Sequence, residues 1–221
     1  MASRGQKERD FYRLLISRLL IICGSCLMGI VLLVNVIDYV RSRTAVSSFK
    51  TEKEQIIVVN TEEATEQTEE QAVVGTSDME SEEEKLSGDV LGVLRIPKID
   101  LEEAVKEGSS SSVISSALGH MEGTAMPGAV GNCAIAGHRN YVFGRFFNRL
   151  NEIEKGDTVE IETLEGVYVY TVTDSFIVEP EEVSVLSQDT ETQDLTLITC
   201  TPLFVGSHRL IIQGTLTEMQ D

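Results

Sequence analysis

Three textures of hydrophobic and polar positions divide this chain. Residues 19–37 read LLIICGSCLMGIVLLVNVI, with no charge in the run. As a helix, this run is about 28 Å long and can cross a hydrocarbon layer of about 30 Å. It predicts a transmembrane anchor over 19–37, preceded by a basic tail over 1–18. Arg4, Lys7, Arg9, Arg13 and Arg18 come before the run, and only Arg41 and Arg43 follow closely. The positive-inside rule then places the N-terminus in the cytoplasm and everything after Arg41 outside. A secretory signal would have a shorter apolar core and a small-residue cleavage site, which Asp38-Tyr39-Val40-Arg41 does not supply, so the anchor is expected to be retained.

The second texture, residues 38–87, is rich in Glu, Thr, Gln and Ser, with runs such as Glu82-Glu83-Glu84. It holds too little apolar surface to offset the entropy of ordering and predicts an acidic, disordered stalk. An acidic helix is the competing reading. A random coil of this length spans about 40 Å root-mean-square, which would lift the following segment off the bilayer.

From residue 88 to 221 the pattern changes to short, β-branched apolar runs broken by Gly, Pro, Asp and Ser. Residues 90–96, 102–105, 132–136, 158–162, 167–178, 195–199 and 209–215 read as strands, many alternating apolar with polar. Residues 112–118 and 143–150 read as short helices. About seven strands at this spacing, with few helices, predict an all-β dominated, closed or nearly closed barrel.

Charge and cysteine usage narrow the function. The net charge is −18, and the part from residue 86 onward is itself strongly acidic, which excludes a phosphate backbone as partner and favours cationic or amine-bearing ones. The four cysteines are Cys23, Cys26, Cys133 and Cys200, with no disulfide framework or zinc spacing among them, so no metal and no cofactor is expected. Cys23 and Cys26 form a C-x-x-C inside the apolar run, where they read as small fillers. Cys133 lies mid-strand among small apolar residues and reads as a buried hydrophobe.

Cys200 differs because it closes the strand 195–199 and precedes Thr201-Pro202, which cannot continue a ladder. Alone it is as compatible with packing as with chemistry. Arg209 opens the next strand after a short connection containing Pro202 and Gly206, so a hairpin would return it beside Cys200. A fixed cation there favours thiolate and can stabilise an oxyanion. Among the histidines, His138 also ends a strand and ranks first as an acid/base partner. His208 follows, since it and Arg209 face opposite sides of an extended strand, and His120 reads as a loop residue.

Leu195-Thr196-Leu197-Ile198-Thr199-Cys200 resembles the cysteine signature of the sortase family. Ala136-Gly137-His138-Arg139 resembles its histidine motif, and Arg209 in His208-Arg209-Leu210-Ile211 matches its arginine. Thr124-Ala125-Met126-Pro127-Gly128 and Gly131-Asn132 are similar to the family's run before the histidine. The resemblance covers about residues 88–217. It implies an eight-stranded sortase-type barrel and recognition of an LPxTG-like sorting signal, cleaved between Thr and Gly through a thioester. Cys200 would be the nucleophile, His138 the acid/base and Arg209 the electrostatic partner, with Thr199 aiding the oxyanion. The acyl group would pass to a peptidoglycan-precursor or pilin amine. The chain lacks the Asp-Pro-aromatic lid of pilin-polymerising class C members and ends in polar residues, so class D is expected, with class C second. Other readings are a plain cysteine hydrolase and a non-catalytic, membrane-anchored wall-binding barrel.

Overall fold

The computed structural model describes residues 2–63, 90–139 and 145–220. Helix α1 runs Ala2–Glu63, and the chain divides at Arg41 into two compact units. The first unit carries the apolar window Leu15–Val34, whose mean hydropathy is 2.3, whose one charged residue is Arg18, and whose side chains are exposed along its length. This window is the candidate membrane segment, displaced by a few residues from the expected 19–37.

The second unit contains the barrel. Its strands are β1 (Val90–Ile96), β2 (Leu101–Glu107), β3 (Leu118–His120), β4 (Gly131–Ala136), β5 (Thr158–Glu162), β6 (Val167–Val178), β7 (Gln193–Thr201) and β8 (His208–Gln220). They close in the order β1-β2-β3-β4-β7-β8-β6-β5, with β5 returning to β1. Six of the eight neighbour pairs are antiparallel; β2–β3 and β4–β7 are parallel. The expected all-β, eight-stranded barrel is therefore present. Alternation sorts the side chains. Leu94, Ile96, Cys133, Ile135, Leu195, Leu197, Leu210 and Ile212 meet inside, and the intervening positions face out.

Of the two expected helices, 112–118 shortens to a single turn, α2 (Ser111–Ile114), because Leu118 is taken into β3. The other, 143–150, is not a helix over its described part. Phe146 has a left-handed φ of 47°, and the chain turns into a 3-10 segment, Leu150–Glu152. The apolar spacing there serves a different purpose: Phe146, Phe147 and Leu150 join the barrel core. Beside them the Arg145 guanidinium lies over the Phe146 ring and 3.8 Å from Glu103, both charged groups being almost fully buried.

The expected disordered stalk over 38–87 is corrected at its start. The helix continues to Glu63, and Ala45, Val46 and Phe49 pack on Val93 and Ala104 of the outer barrel face, with Phe49 only 1% exposed. Spacings of one, three and four residues put these side chains on one helix face. Beside them Lys50 pairs with Glu102 at 2.8 Å and Lys53 with Glu162 at 2.9 Å, while Arg95 bridges the two glutamates. Average composition concealed this stripe, because a short apolar face with two lysines is enough when the opposing strands supply carboxylates. The remainder of the expected stalk, 64–87, lies outside the described residues.

A protein beginning at Ser87 should therefore melt below one beginning at Ser42. Burying Phe49 contributes about 1.5–3 kcal/mol, so a drop of roughly 5–10 °C is expected. Equal melting temperatures would refute docking of this segment. Lys50 holds the Glu102 carboxyl below its usual range; burial opposes charge on Glu162, yet Lys53 and Arg95 outweigh it and lower it too. A carboxyl lowered in the fold contributes stability above the unfolded value and loses it as pH falls through the folded one. The melting difference should accordingly shrink in acid.

Candidate active site on the β4–β7–β8 face

Strand β4, distant in sequence, here lies beside the local β7–β8 hairpin. Parallel pairing sets Ala136 of β4 against Ile198 of β7, and Gly137 extends the ladder by donating its N–H to Ile198 O at 3.0 Å. His138 thus comes level with Cys200. Antiparallel pairing sets Cys200 directly opposite Arg209 of β8. Adjacent strands lie about 4.8 Å apart, so Cys200 and Arg209 are cross-strand neighbours at one barrel rim, with His138 just beyond the end of β4 on the other side of β7. Cys200 and Arg209 occupy the register opposite to inward-facing Leu197 and Leu210, and so stand on the outer face.

Each position has a local cause. Pro202 ends β7, and the connection turns through Phe204 and Gly206, whose φ values are 72° and 65°. The second is a conformation suited to glycine. A Cβ on Gly206 would sit 3.6 Å from that of Cys200, so this loop closes over the thiol. Arg209 Nη1 donates to Gly206 O and His208 O, both at 3.0 Å, which fixes the guanidinium at the rim. Cys200 is half-buried and His138 exposed. Gly137 is required by close approach: a Cβ there would lie 2.7 Å from both Leu118 and Phe147 side chains. The backbone register thus gathers, at one rim, residue types that acyl transfer needs: a half-buried thiol, an exposed imidazole and a fixed guanidinium.

The other candidates are placed elsewhere. His120 is 2% exposed, its Nδ1 2.8 Å from Glu107 and its Nε2 3.0 Å from Ala125 O, and so works within the fold. His208 pairs with Thr201 in the ladder, on the face opposite to Arg209, and its imidazole contacts Ser207 Oγ and Glu179. Cys133 lies in the core, and burial pushes its thiol up to about 12. Thr199 faces away from the outer surface, 2% exposed, with its hydroxyl donating to Gly137 O at 2.8 Å. That proton is already engaged within the fold.

Sequence reasoning gave no role of their own to Asn132, Thr196 and Gln188. Thr196 donates to Asn132 Oδ1, Asn132 Nδ2 donates to Val185 O, and Gln188 bonds both backbone groups of Asn132. Together they pin the β6–β7 connection onto the same outer face that carries Cys200. A cavity of about 270 Å³ remains beneath it, lined by Ser184, Asp189, Asp194, Gln213 and Thr215 among others. Polar Thr196 within an apolar strand was the available signal.

Comparison with known proteins agrees with the barrel fold. A Sortase domain family model matches residues 94–217. Sortase D of Bacillus subtilis strain 168 is 32% identical over 131 residues, covering 58% of this chain and 64% of that protein. Sortase SrtE1 of Streptomyces coelicolor is 35% identical over 146 residues, covering 59% and 41%. The chain thus spans less than two thirds of the length of these curated relatives. Among solved structures, a Clostridium perfringens Sortase D5 transpeptidase superposes with a TM-score of 0.62 at 27% identity, covering 80% of this chain and 99% of that one. With the family model matched from within β1 to within β8, across the barrel, the chain belongs to the sortase family.

Proposed function

We propose that this chain is a class D-like sortase transpeptidase, anchored by its N-terminal apolar helix, with the N-terminus cytoplasmic and the barrel outside. The observation that supports the reading is the backbone register that sets Cys200 opposite Arg209 and brings the end of β4, two residues before His138, beside β7 at the same rim. Cys200 Sγ attacks the threonine carbonyl of an LPxTG-like signal, and the carbon–nitrogen bond to glycine breaks as His138 gives its proton to the departing amine. A thioester remains. An incoming amine, from a peptidoglycan precursor or a pilin, loses a proton to His138 and attacks the thioester, releasing Cys200 as thiolate. Arg209 steadies the oxyanion or the bound peptide; fixed through Nη1, it still has further N–H donors by its own valence. The peptide lies on the outer face, between the β6–β7 and β7–β8 connections.

The test is turnover of a fluorogenic LPxTG-type peptide by the full chain in detergent micelles, with and without a small amine. We expect the peptide to be cleaved at Thr–Gly and the amine to appear covalently on the threonine. Cleavage with no amine product at saturating amine would mark a hydrolase instead. No cleavage of any sorting peptide, with Cys200 fully alkylatable, would favour the non-catalytic barrel.

A further inference from the structure

Cys200 is flanked by two threonines, and His138 by Gly137 and Arg139. These flanking residues are bonded to each other across the β4–β7 gap. Thr199 Oγ1 donates to Gly137 O at 2.8 Å on one side of His138 and Cys200, and Arg139 Nη1 donates to Thr201 Oγ1 at 2.8 Å on the other. Both threonines are buried, on the face opposite to Cys200. Arg139 is held in turn by Asn151 Oδ1 at 2.7 Å and Asn148 O at 3.4 Å.

We propose that Thr199 and Thr201 are positioning residues, two clasps that hold the backbone on either side of His138 level with Cys200. The regular β4 ladder stops at Ala136, and beyond the Gly137 N–H to Ile198 O bond something other than strand pairing must fix the next residues. His138 is exposed, so burial of its own ring does not set its place. The two clasps act from beneath, through main chain and Arg139, and leave the imidazole open to the outer face. Proton transfer requires placement within a fraction of an ångström, and a misplacement of about 1 Å costs up to about 10²-fold. A threonine that was merely a satisfied buried polar group would influence stability alone.

The proposal rests on the transpeptidase reading above, and its test separates the two. In the full chain in micelles, Thr199→Val should lower kcat by about 10- to 100-fold with KM within about twofold, and Thr199→Ser should restore kcat to within about threefold. Thr201→Val should lower kcat by about 3- to 10-fold, and the double variant should lose less than the product of the two single losses, because both clasps hold one loop. The pH dependence of kcat/KM should move in Thr199→Val and return in Thr199→Ser. Wild-type kcat in Thr199→Val, or a loss that serine does not restore while the melting temperature falls, would overturn the proposal. If the unaltered chain turns over no sorting peptide, the transpeptidase reading falls. The clasps are then read from the pH dependence of Cys200 alkylation by iodoacetamide in a Cys23→Ser, Cys26→Ser background. Displacement of that profile by Thr199→Val supports them, and an unchanged profile overturns them.

Discussion

Cys200→Ala is expected to leave no detectable acyl-enzyme and no transfer, whereas Cys133→Ala keeps most turnover. The contrast follows from placement. Cys200 stands half-buried at the rim opposite Arg209, while Cys133 is 1% exposed in the core and its thiol is pushed up to about 12, chiefly by burial and further by Glu107. Near neutral pH Cys133 stays protonated and shielded, and its loss costs some packing stability, typically about 1 kcal/mol. Mass spectrometry after incubation with a sorting peptide checks this directly. A thioester adduct on the Cys200→Ala variant would transfer the nucleophile to another residue and refute the assignment.

His138→Ala should reduce kcat/KM by roughly 10² to 10⁴-fold, the usual worth of positioned acid/base help. Arg209→Ala should cost about 10² to 10³-fold if the guanidinium meets the oxyanion. His208→Ala should do much less, because that side chain lies on the other face of β8 and contacts Ser207 and Glu179. His120→Ala should act on the melting temperature, since a 2% exposed ring with partners at both nitrogens is part of the fold. Steady-state kinetics on folded variants separate these cases. If His208→Ala proved as damaging to kcat/KM as His138→Ala, the imidazole assignment would be wrong.

Much of the barrel was legible from period-two alternation: three strands, β1, β5 and β6, have the bounds that the pattern predicts. β3 was not, because three residues, Leu118 to His120, carry no period, and they become a strand only by pairing with β2 and β4. Cys200 and His138 were visible as polar groups at strand ends. Their being level was not, since it depends on a parallel register between segments remote in sequence. The role of Thr199 was also hidden: its partner is a backbone carbonyl, which every residue has. The docked helix escaped for a related reason, as Ala45, Val46 and Phe49 become an apolar face only opposite Val93 and Ala104.

The parallel β4–β7 pair has a kinetic consequence. Strands running in the same direction cannot be joined by a tight turn, and here the contact between Thr199 and Gly137 closes a loop of 62 residues. Loop-closure entropy must be met before such a contact stabilises anything, so pairings of this separation form late and slowly in β-rich domains. Arg209 can join Cys200 early, through the local β7–β8 hairpin, but His138 arrives only when the crossover closes. On the proposed assignment the nascent chain holds Cys200 without His138 until the barrel is complete, and peptide turnover should recover with the slowest phase of refolding rather than with formation of the hairpin.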